Sequence, residues 1–505
     1  MKRLLVTVAL TLLVWGTSLA VAQDAGKKEA QPEKGKVGVL INEPKAFKGY
    51  TLIYPMNSKD THLIDMEGRV VKTWKGAADP AHSAYLLPNG NLLRPCKIVG
   101  KTAFGGAPGA GGRIQEFNWE GEVIWDYTLA DEKLQQHHDV LKMPNGNVMI
   151  VSWDKKTASE AGAAGRKGGG ALHPDVLIEV KPKGKSEGEI VWKWHIWDHL
   201  IQDNDSTKAH YGNVAEHPEL IDVNFSEGFT AIAKGKDLDK LKGIGYIGGG
   251  GKATADWTHI NGVTYNAKLD QIMVSVHGFS EFWIIDHSTT TAEAASHKGG
   301  KSGKGGDLLY RWGNPRAYRA GTAKDQQLFA QHNAHWIPEG YPGAGHIICF
   351  NNGTRRADGT YSTADEIVIP TPDANGVYPL AKGKSYGPEK AIWSYAAPNK
   401  SDLYSMVISG VQRLPNGNTL ICEGMTGVLW EVTPEKELVW KFANPSPPKG
   451  GGDAKKGGPP GGGKGPGGLG GGSMFRATRI DPEYPALKGR ELTPGKTLEE
   501  MYKAK

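Results

Sequence analysis

Six residues before each of five prolines stands a side chain able to do chemistry: His82 (Pro88), His138 (Pro144), His332 (Pro338), Ser409 (Pro415) and Arg476 (Pro482). A further segment without the proline, Asp256-Trp257-Thr258-His259-Ile260-Asn261-Gly262-Val263, begins in the same way. A neutral imidazole near its working pKa is both a nucleophile and a proton carrier, and a guanidinium binds oxyanions. Any one of these histidines is most simply a hydrogen-bonded polar group at a strand end. Four of them in common register with a serine and an arginine point to one shared site.

The stretch around His332 shows how such a residue is carried. Gln331-His332-Asn333-Ala334-His335-Trp336-Ile337-Pro338 opens an apolar segment, and Ile347-Ile348-Cys349-Phe350 ends at Asn351-Asn352-Gly353. This is the pattern of a β-hairpin with a polar residue at the mouth of its first strand. Leu87-Pro88-Asn89-Gly90-Asn91, Met143-Pro144-Asn145-Gly146-Asn147 and Leu414-Pro415-Asn416-Gly417-Asn418 repeat the turn, since Asn-Gly tolerates the positive φ of a tight hairpin. A third apolar run ending in an acid follows, as in Val176-Leu177-Ile178-Glu179, Trp283-Ile284-Ile285-Asp286 and Leu429-Trp430-Glu431. A fourth run carries Trp74, Trp125, Trp192, Trp312, Trp393 or Trp440.

Four short strands per unit, six times over, predict an all-β, six-bladed propeller. The first unit, 50–74, lacks an opening strand, and Met474-Phe475-Arg476-Ala477-Thr478-Arg479-Ile480 near the other end would supply it and close the ring. The first strand of a blade is innermost, so the register positions should surround a central channel. Strand alternation is expected to turn His137 and His138 to opposite faces, and His332 and His335 likewise, leaving His335 to packing.

The 69 Gly, 30 Pro, 15 Trp and 17 Tyr in 505 residues suit many turns and strands. Residues 1–22 read as a signal peptide: Lys2-Arg3, an apolar run from Leu4 to Leu19, then Ala20-Val21-Ala22 before Gln23. Cleavage after Ala22 would make the protein periplasmic or secreted, and no later segment is apolar enough to span a bilayer. The expected layout is a linker at 23–45, the propeller at 46–490 with a flexible Gly/Pro/Lys insert at 446–473, and a tail at 491–505. Loops 155–171 and 292–306 read as flexible, and 198–256, with a short helix at Leu238 to Leu241, as a lid over the channel mouth. Cys96, Cys349 and Cys422 each sit in an apolar run and read as packing residues. A balance of 60 Lys+Arg against 54 Asp+Glu, without a basic stripe, argues against nucleic acid.

His138-Asp139 with its Pro-Asn-Gly turn, Asp256-Trp257-Thr258-His259-Ile260-Asn261 and Gln331-His332-Asn333-Ala334 resemble the bacterial arylsulfate sulfotransferases in sequence and order, over roughly residues 40–490. The resemblance implies a six-bladed periplasmic propeller that moves a sulfuryl group from an aryl sulfate to a phenol, without nucleotide donor or other cofactor, through a sulfated histidine. It implies His332 as the nucleophile, with His259 and His137 or His138 around it. The family's separate N-terminal β-domain has no room here. The family arginine on the strand after Trp-x-His-x-Asn is absent, for that strand reads Met273-Val274-Ser275-Val276-His277. Arg476, Arg355 or Arg356 would then supply the charge.

On this reading His332 attacks sulfur while His259 or His138 protonates the departing phenolate, then deprotonates the incoming phenol. Arg476, with Asn261 and Asn333, would hold the sulfate oxygens, and His82 and Ser409 would line the channel. Trp257, Trp336 and Phe475 would flank an aromatic substrate or pack between blades. Two other readings stay open: a histidine-lined metal-binding propeller, and a non-catalytic propeller that binds a ligand, glycan or protein. The first lacks a short His-x-His spacing, and a quinone-dependent dehydrogenase lacks an evident calcium carboxylate set.

Overall fold

The turns that recur in the sequence close as expected. Leu87, Met143 and Leu414 each receive the N–H of the turn glycine and give their own N–H to the last asparagine's carbonyl. Gly90, Gly146 and Gly417 stand at φ 91°, 87° and 90°, which only glycine adopts without strain. The last asparagine then reaches the acid of the third strand: Asn91 to Glu116 at 2.6 Å, Asn147 to Glu179 at 2.5 Å, Asn418 to Glu431 at 2.8 Å. Turn and third strand are therefore written together in the sequence.

In this computed structural model, residues 36–100, 102–105, 107–227, 255–446 and 472–503 are described. Val37–Lys505 forms one unit and Met1–Lys36 another. The signal-peptide reading, residues 228–254 of the lid with its expected short helix, and most of the 446–473 insert lie outside the described residues. Among the described residues no helix is long and apolar enough to cross a membrane.

Six antiparallel sheets make the blades of a β-propeller. Blade 1 joins Met474–Ile480 to Tyr50–Pro55, Thr61–Ile64 and Val70–Trp74, with Tyr50 opposite Ile480 and Ile53 opposite Ala477. Blade 2 runs from Tyr85–Leu86 to Val123–Thr128, blade 3 from Leu134–Lys142 to Glu187–His195, and blade 4 from Ile260–Asn266 to Tyr310–Trp312. Blade 5 runs from His332–Trp336 to Trp393–Tyr395, and blade 6 from Gly410–Arg413 to Leu438–Ala443. Apolar clusters fill the spaces between neighbouring blades; Leu93, Ile114, Val140, Ile150 and Ile178, for example, join blades 2 and 3. Cys96, Cys349 and Cys422 are buried free thiols, the latter two within these layers.

The fourth-strand tryptophans link each blade to the next. The indole N–H of Trp74 donates to Asn118 O, Trp125 to Glu187 O, Trp192 to Thr289 Oγ1, Trp312 to Pro388 O, Trp393 to Pro434 O and Trp440 to Met66 O. Every acceptor lies between the third and fourth strands of the following blade or, for Glu187, at the start of the fourth, and the last step leads from blade 6 back to blade 1.

Several segments hold more structure than composition suggests. Within the expected linker 23–45, Gly38–Asn42 adds a fifth strand to the edge of blade 6, opposite Trp440–Ala443, covering an edge that would otherwise be open. Within the expected tail 491–505, Leu498 is buried in the cluster between blades 6 and 1. The loops read as flexible contain the helices Ala158–Ala163 and Thr291–Ala294, each begun by a capping box, Thr157 with Glu160 and Thr290 with Glu293. Two backbone donors satisfied reciprocally hold such a turn despite its Gly/Ala/Lys-rich surroundings.

Candidate active site

Four of the six register positions share a backbone device: His82, His138, His259 and Ser409 have φ of 97°, 51°, 53° and 94°, and Asn333, next to His332, is at 56°. Bulges sit at this level: three residues, His137 to Asp139, oppose Val151 alone, and Asn261, the Asn333-Ala334 pair and the Phe475-Arg476 pair each add an extra residue to their ladders. A bulge re-aims a side chain that strand alternation would send elsewhere. That is why His137 and His138, expected on opposite faces, instead touch, with their Nδ1 atoms 2.8 Å apart.

The result is a closed circuit of aromatic rings. Centroids step from His82 to His138 (4.9 Å), His259 (4.3 Å), His277 (5.1 Å), His332 (5.2 Å), Phe475 (6.1 Å) and back to His82 (4.8 Å). All six are buried, and they come from blades 1 to 5. His277, absent from the proline register, stands at the exit of blade 4's second strand, where its N–H donates to the carbonyl of His259. The signal was adjacency: a residue ending the second strand must lie beside one opening the first.

Partners set the tautomers. Asp175 Oδ1 lies 2.6 Å from His137 Nε2, so His137 donates there and accepts at Nδ1 from His138, leaving the lone pair of His138 on Nε2. That atom and His82 Nδ1 are buried with no hydrogen-bond partner among the described residues. His259 donates from Nδ1 to Asp256, which also takes the indole N–H of Trp153. Burial opposes ionisation of Asp256, but the charge and hydrogen bond of His259 outweigh it and hold the carboxyl below its ordinary value. Asn352 donates to the carbonyls of Ser405 and Ile408, so its Oδ1 faces His332 Nδ1 at 2.8 Å. His332 Nε2 consequently carries the lone pair and accepts the Ile408 N–H at 3.1 Å. Ile408 itself is at φ 53°, an outlier for a β-branched residue and a mark of strain held at a functional site.

Burial, aided by the charge of His259, pushes His332 down to about 3. It also keeps His82, His138 and His277 well below the imidazole range, helped by Lys97 at His82 and Arg355 at His277. A cavity of about 320 Å³ opens beside His82 and Ile408, lined also by Lys97, Thr102, Gln135, Gly105 and the segment 107–111. That is within the range of small-ligand sites. Gly109 forms part of its wall, and a Cβ there would lie 2.0 Å from His138 Cε1, so the close approach requires glycine.

The other expected site residues fall in several places. Arg476 adjoins the circuit, its guanidinium over Phe475, but bonds Tyr85 OH and Asp139 Oδ2 at 2.8 Å and Asn261 O at 2.7 Å. Asn261 donates to Gln331 O, Asn333 accepts from Val411 N, and Ser409 Oγ accepts from Gly424 N, all ties within or between blades. Trp257 packs on Phe279 and donates to Phe225 O, and Trp336 is a core residue. Arg356 lies over Tyr361 and Phe329 and bonds Thr363, whereas Arg355 pairs with Glu227. His335 donates from Nδ1 to the Asn333 carbonyl. Lys97, Asp175, Asp256 and His277 were not singled out from the sequence as site residues.

The arylsulfotransferase (ASST) family model matches residues 56–444, a span that takes in every imidazole of the circuit. The chain belongs to the arylsulfotransferase family. Membership supports an aryl-sulfate sulfotransferase class of activity, with aryl sulfate and phenol as substrates. No curated protein matches the sequence. Among solved structures the arylsulfotransferase chain is similar to a Bacteroides caccae protein of unknown function, at 10% identity and TM-score 0.41, covering 86% of this chain and 99% of that one. It is also similar to the Pseudomonas aeruginosa periplasmic gluconolactonase, at 8% identity and TM-score 0.35, covering 78% and 96%.

Proposed function

We propose that the protein transfers a sulfuryl group from an aryl sulfate to a phenolic acceptor through a sulfohistidine at His332. The observation that carries this reading is the circuit of buried imidazoles, which pairs a neutral, tautomer-fixed histidine with a carboxylate-supported one. In the first half-reaction His332 Nε2 attacks sulfur, the bond from sulfur to the aryl oxygen breaks, and the phenolate takes a proton from His259. Ionised Asp256 stabilises the imidazolium that His259 must be to give that proton. In the second half-reaction an acceptor phenol loses its proton to His259 and attacks the sulfohistidine, and His332 is regenerated. Attack displaces the Ile408 N–H from Nε2 and frees it to bond a sulfuryl oxygen. Lys97, which lines the cavity beside His82, replaces the family arginine in attracting the sulfate, while Arg355 is paired with Glu227. Arg476, matched by Asp139, holds the blades around the site.

The reading includes export to the periplasm, resting on the basic start and apolar run of 1–22, and closure of the wheel by Met474–Ile480, supported by its pairing with Tyr50–Pro55. The test is phenol-dependent release of nitrophenol from 4-nitrophenyl sulfate, with a burst of one equivalent when phenol is left out. A His332→Asn protein that folds and still shows the burst would sink the sulfohistidine.

A further inference from the structure

A second group of potential ligands uses none of the circuit's residues. His199 ends the short 3-10 turn Ile196–His199 that follows the outer strand of blade 3, while His297 and Asp307 lie in the long connection before Tyr310–Trp312 in blade 4. His199 Nδ1 and His297 Nδ1 approach the same oxygen, Asp307 Oδ1, at 2.8 and 2.7 Å. All three donor atoms lie within 4.8 Å of one another, and no other His/Cys/Asp/Glu trio among the described residues does so.

His199 is held as a ligand histidine is held. Its side chain is fully buried, its ring stacks on Trp194 at 13° and 5.8 Å, and Nε2 lies 2.8 Å from the Ala294 carbonyl. A carbonyl only accepts, so Nε2 carries a proton and Nδ1 is the nitrogen that faces the Asp307 carboxylate. An N–H to carbonyl bond on the far nitrogen is the usual support of a metal-bound imidazole, and it leaves the nitrogen that faces Asp307 to take an ion. Gly306 makes the arrangement possible: a Cβ there would come 2.1 Å from the Ala294 oxygen and 2.6 Å from His199 Nε2. Its carbonyl also receives the Trp194 indole N–H at 2.7 Å. His297 is 58% exposed, which opens one side to solvent.

We propose that His199, His297 and Asp307 bind a zinc ion that clips the outer strand of blade 3 to the long connection of blade 4. Two imidazoles and one carboxylate suit a borderline divalent ion in tetrahedral geometry, whereas calcium or magnesium would want more oxygen ligands. Ligand bonds of about 2.0–2.1 Å put neighbouring donors roughly 3.3 Å apart, so the Asp307 carboxylate and exposed His297 move outward by about half an ångström on binding.

The experiment is calorimetric titration of the chelator-stripped full chain with zinc chloride, alongside thermal unfolding. One zinc per chain and a higher Tm are expected, with affinity weakened by at least about ten-fold in His297→Gln and Asp307→Asn, and unchanged in His332→Asn. His297 is exposed and His297→Gln keeps its polarity, so that variant folds even if Asp307→Asn does not. Absence of stoichiometric uptake overturns the proposal, as does uptake that His297→Gln leaves intact or that His332→Asn abolishes.

Discussion

The outer belt of the wheel and its channel are both built from one position per blade, yet they treat that position differently. At the belt the residue is tryptophan six times, and its indole N–H always donates to the following blade. At the channel the equivalent places hold His82, His138, His259, His332, Ser409 and Arg476. A latch has the same task in every blade and can repeat. A reaction has direction, needing one group that attacks, another that moves a proton and others that hold charge, so repetition fails where chemistry begins.

Breaking each region in turn should expose that division. The largest effect is expected from His332→Asn, which should lower transfer from 4-nitrophenyl sulfate to phenol by at least about 10³-fold while leaving the Tm within a few degrees. Trp440→Ala should do the reverse, costing about 3–5 kcal/mol in urea unfolding because a fully buried indole is removed. Activity per folded molecule should survive it at low temperature. Asp256→Asn should lower kcat by about 10²-fold and alter the pH profile by withdrawing the carboxylate behind His259. An unaltered profile would show that His259 carries no proton in the reaction.

Acid should affect the channel before the belt, which has no titrating group in its latches. Burial holds His332 at about 3 and His82, His138 and His277 well below 6.5. Between those values and pH 6.5 the unfolded chain binds protons that the folded chain refuses. Stability is thus full above pH 6.5 and declines as pH falls, by about 1.4 kcal/mol per pH unit for each imidazole kept neutral. A urea midpoint constant from pH 7 to 5 would contradict this. The smallest effect belongs to Trp393→Phe, where a half-buried indole gives up one hydrogen bond to Pro434; about 1 kcal/mol or less is expected.

The belt was legible in the sequence and the channel only in part, for one reason. Tryptophan and Pro-Asn-Gly-Asn recur in the same role, so counting them yields the blades. His277 does not recur, so the repeat spacing passes over it, and only its place beside His259 across the hairpin marks it. The left-handed backbone at His138 and His259 is not encoded by residue type, since histidine is ordinarily at negative φ. Strand alternation therefore misplaced the His137-His138 pair. Asp175 supports His137 from a strand 38 positions away, a distance at which only the fold can join them. The capping boxes at Thr157 and Thr290 were there to be read, beneath a composition that suggested coil.

The pairing of Met474–Ile480 with Tyr50–Pro55 has a consequence for synthesis. Phe475 completes the circuit of rings, and Arg476 reaches Asp139 across the channel. Both leave the ribosome after nearly every other residue of the blades. A nascent chain can hold all five imidazoles and still be inert, so activity reports on completed chains alone, and a fragment ending before Met474 should be a substrate for proteases rather than a weak enzyme.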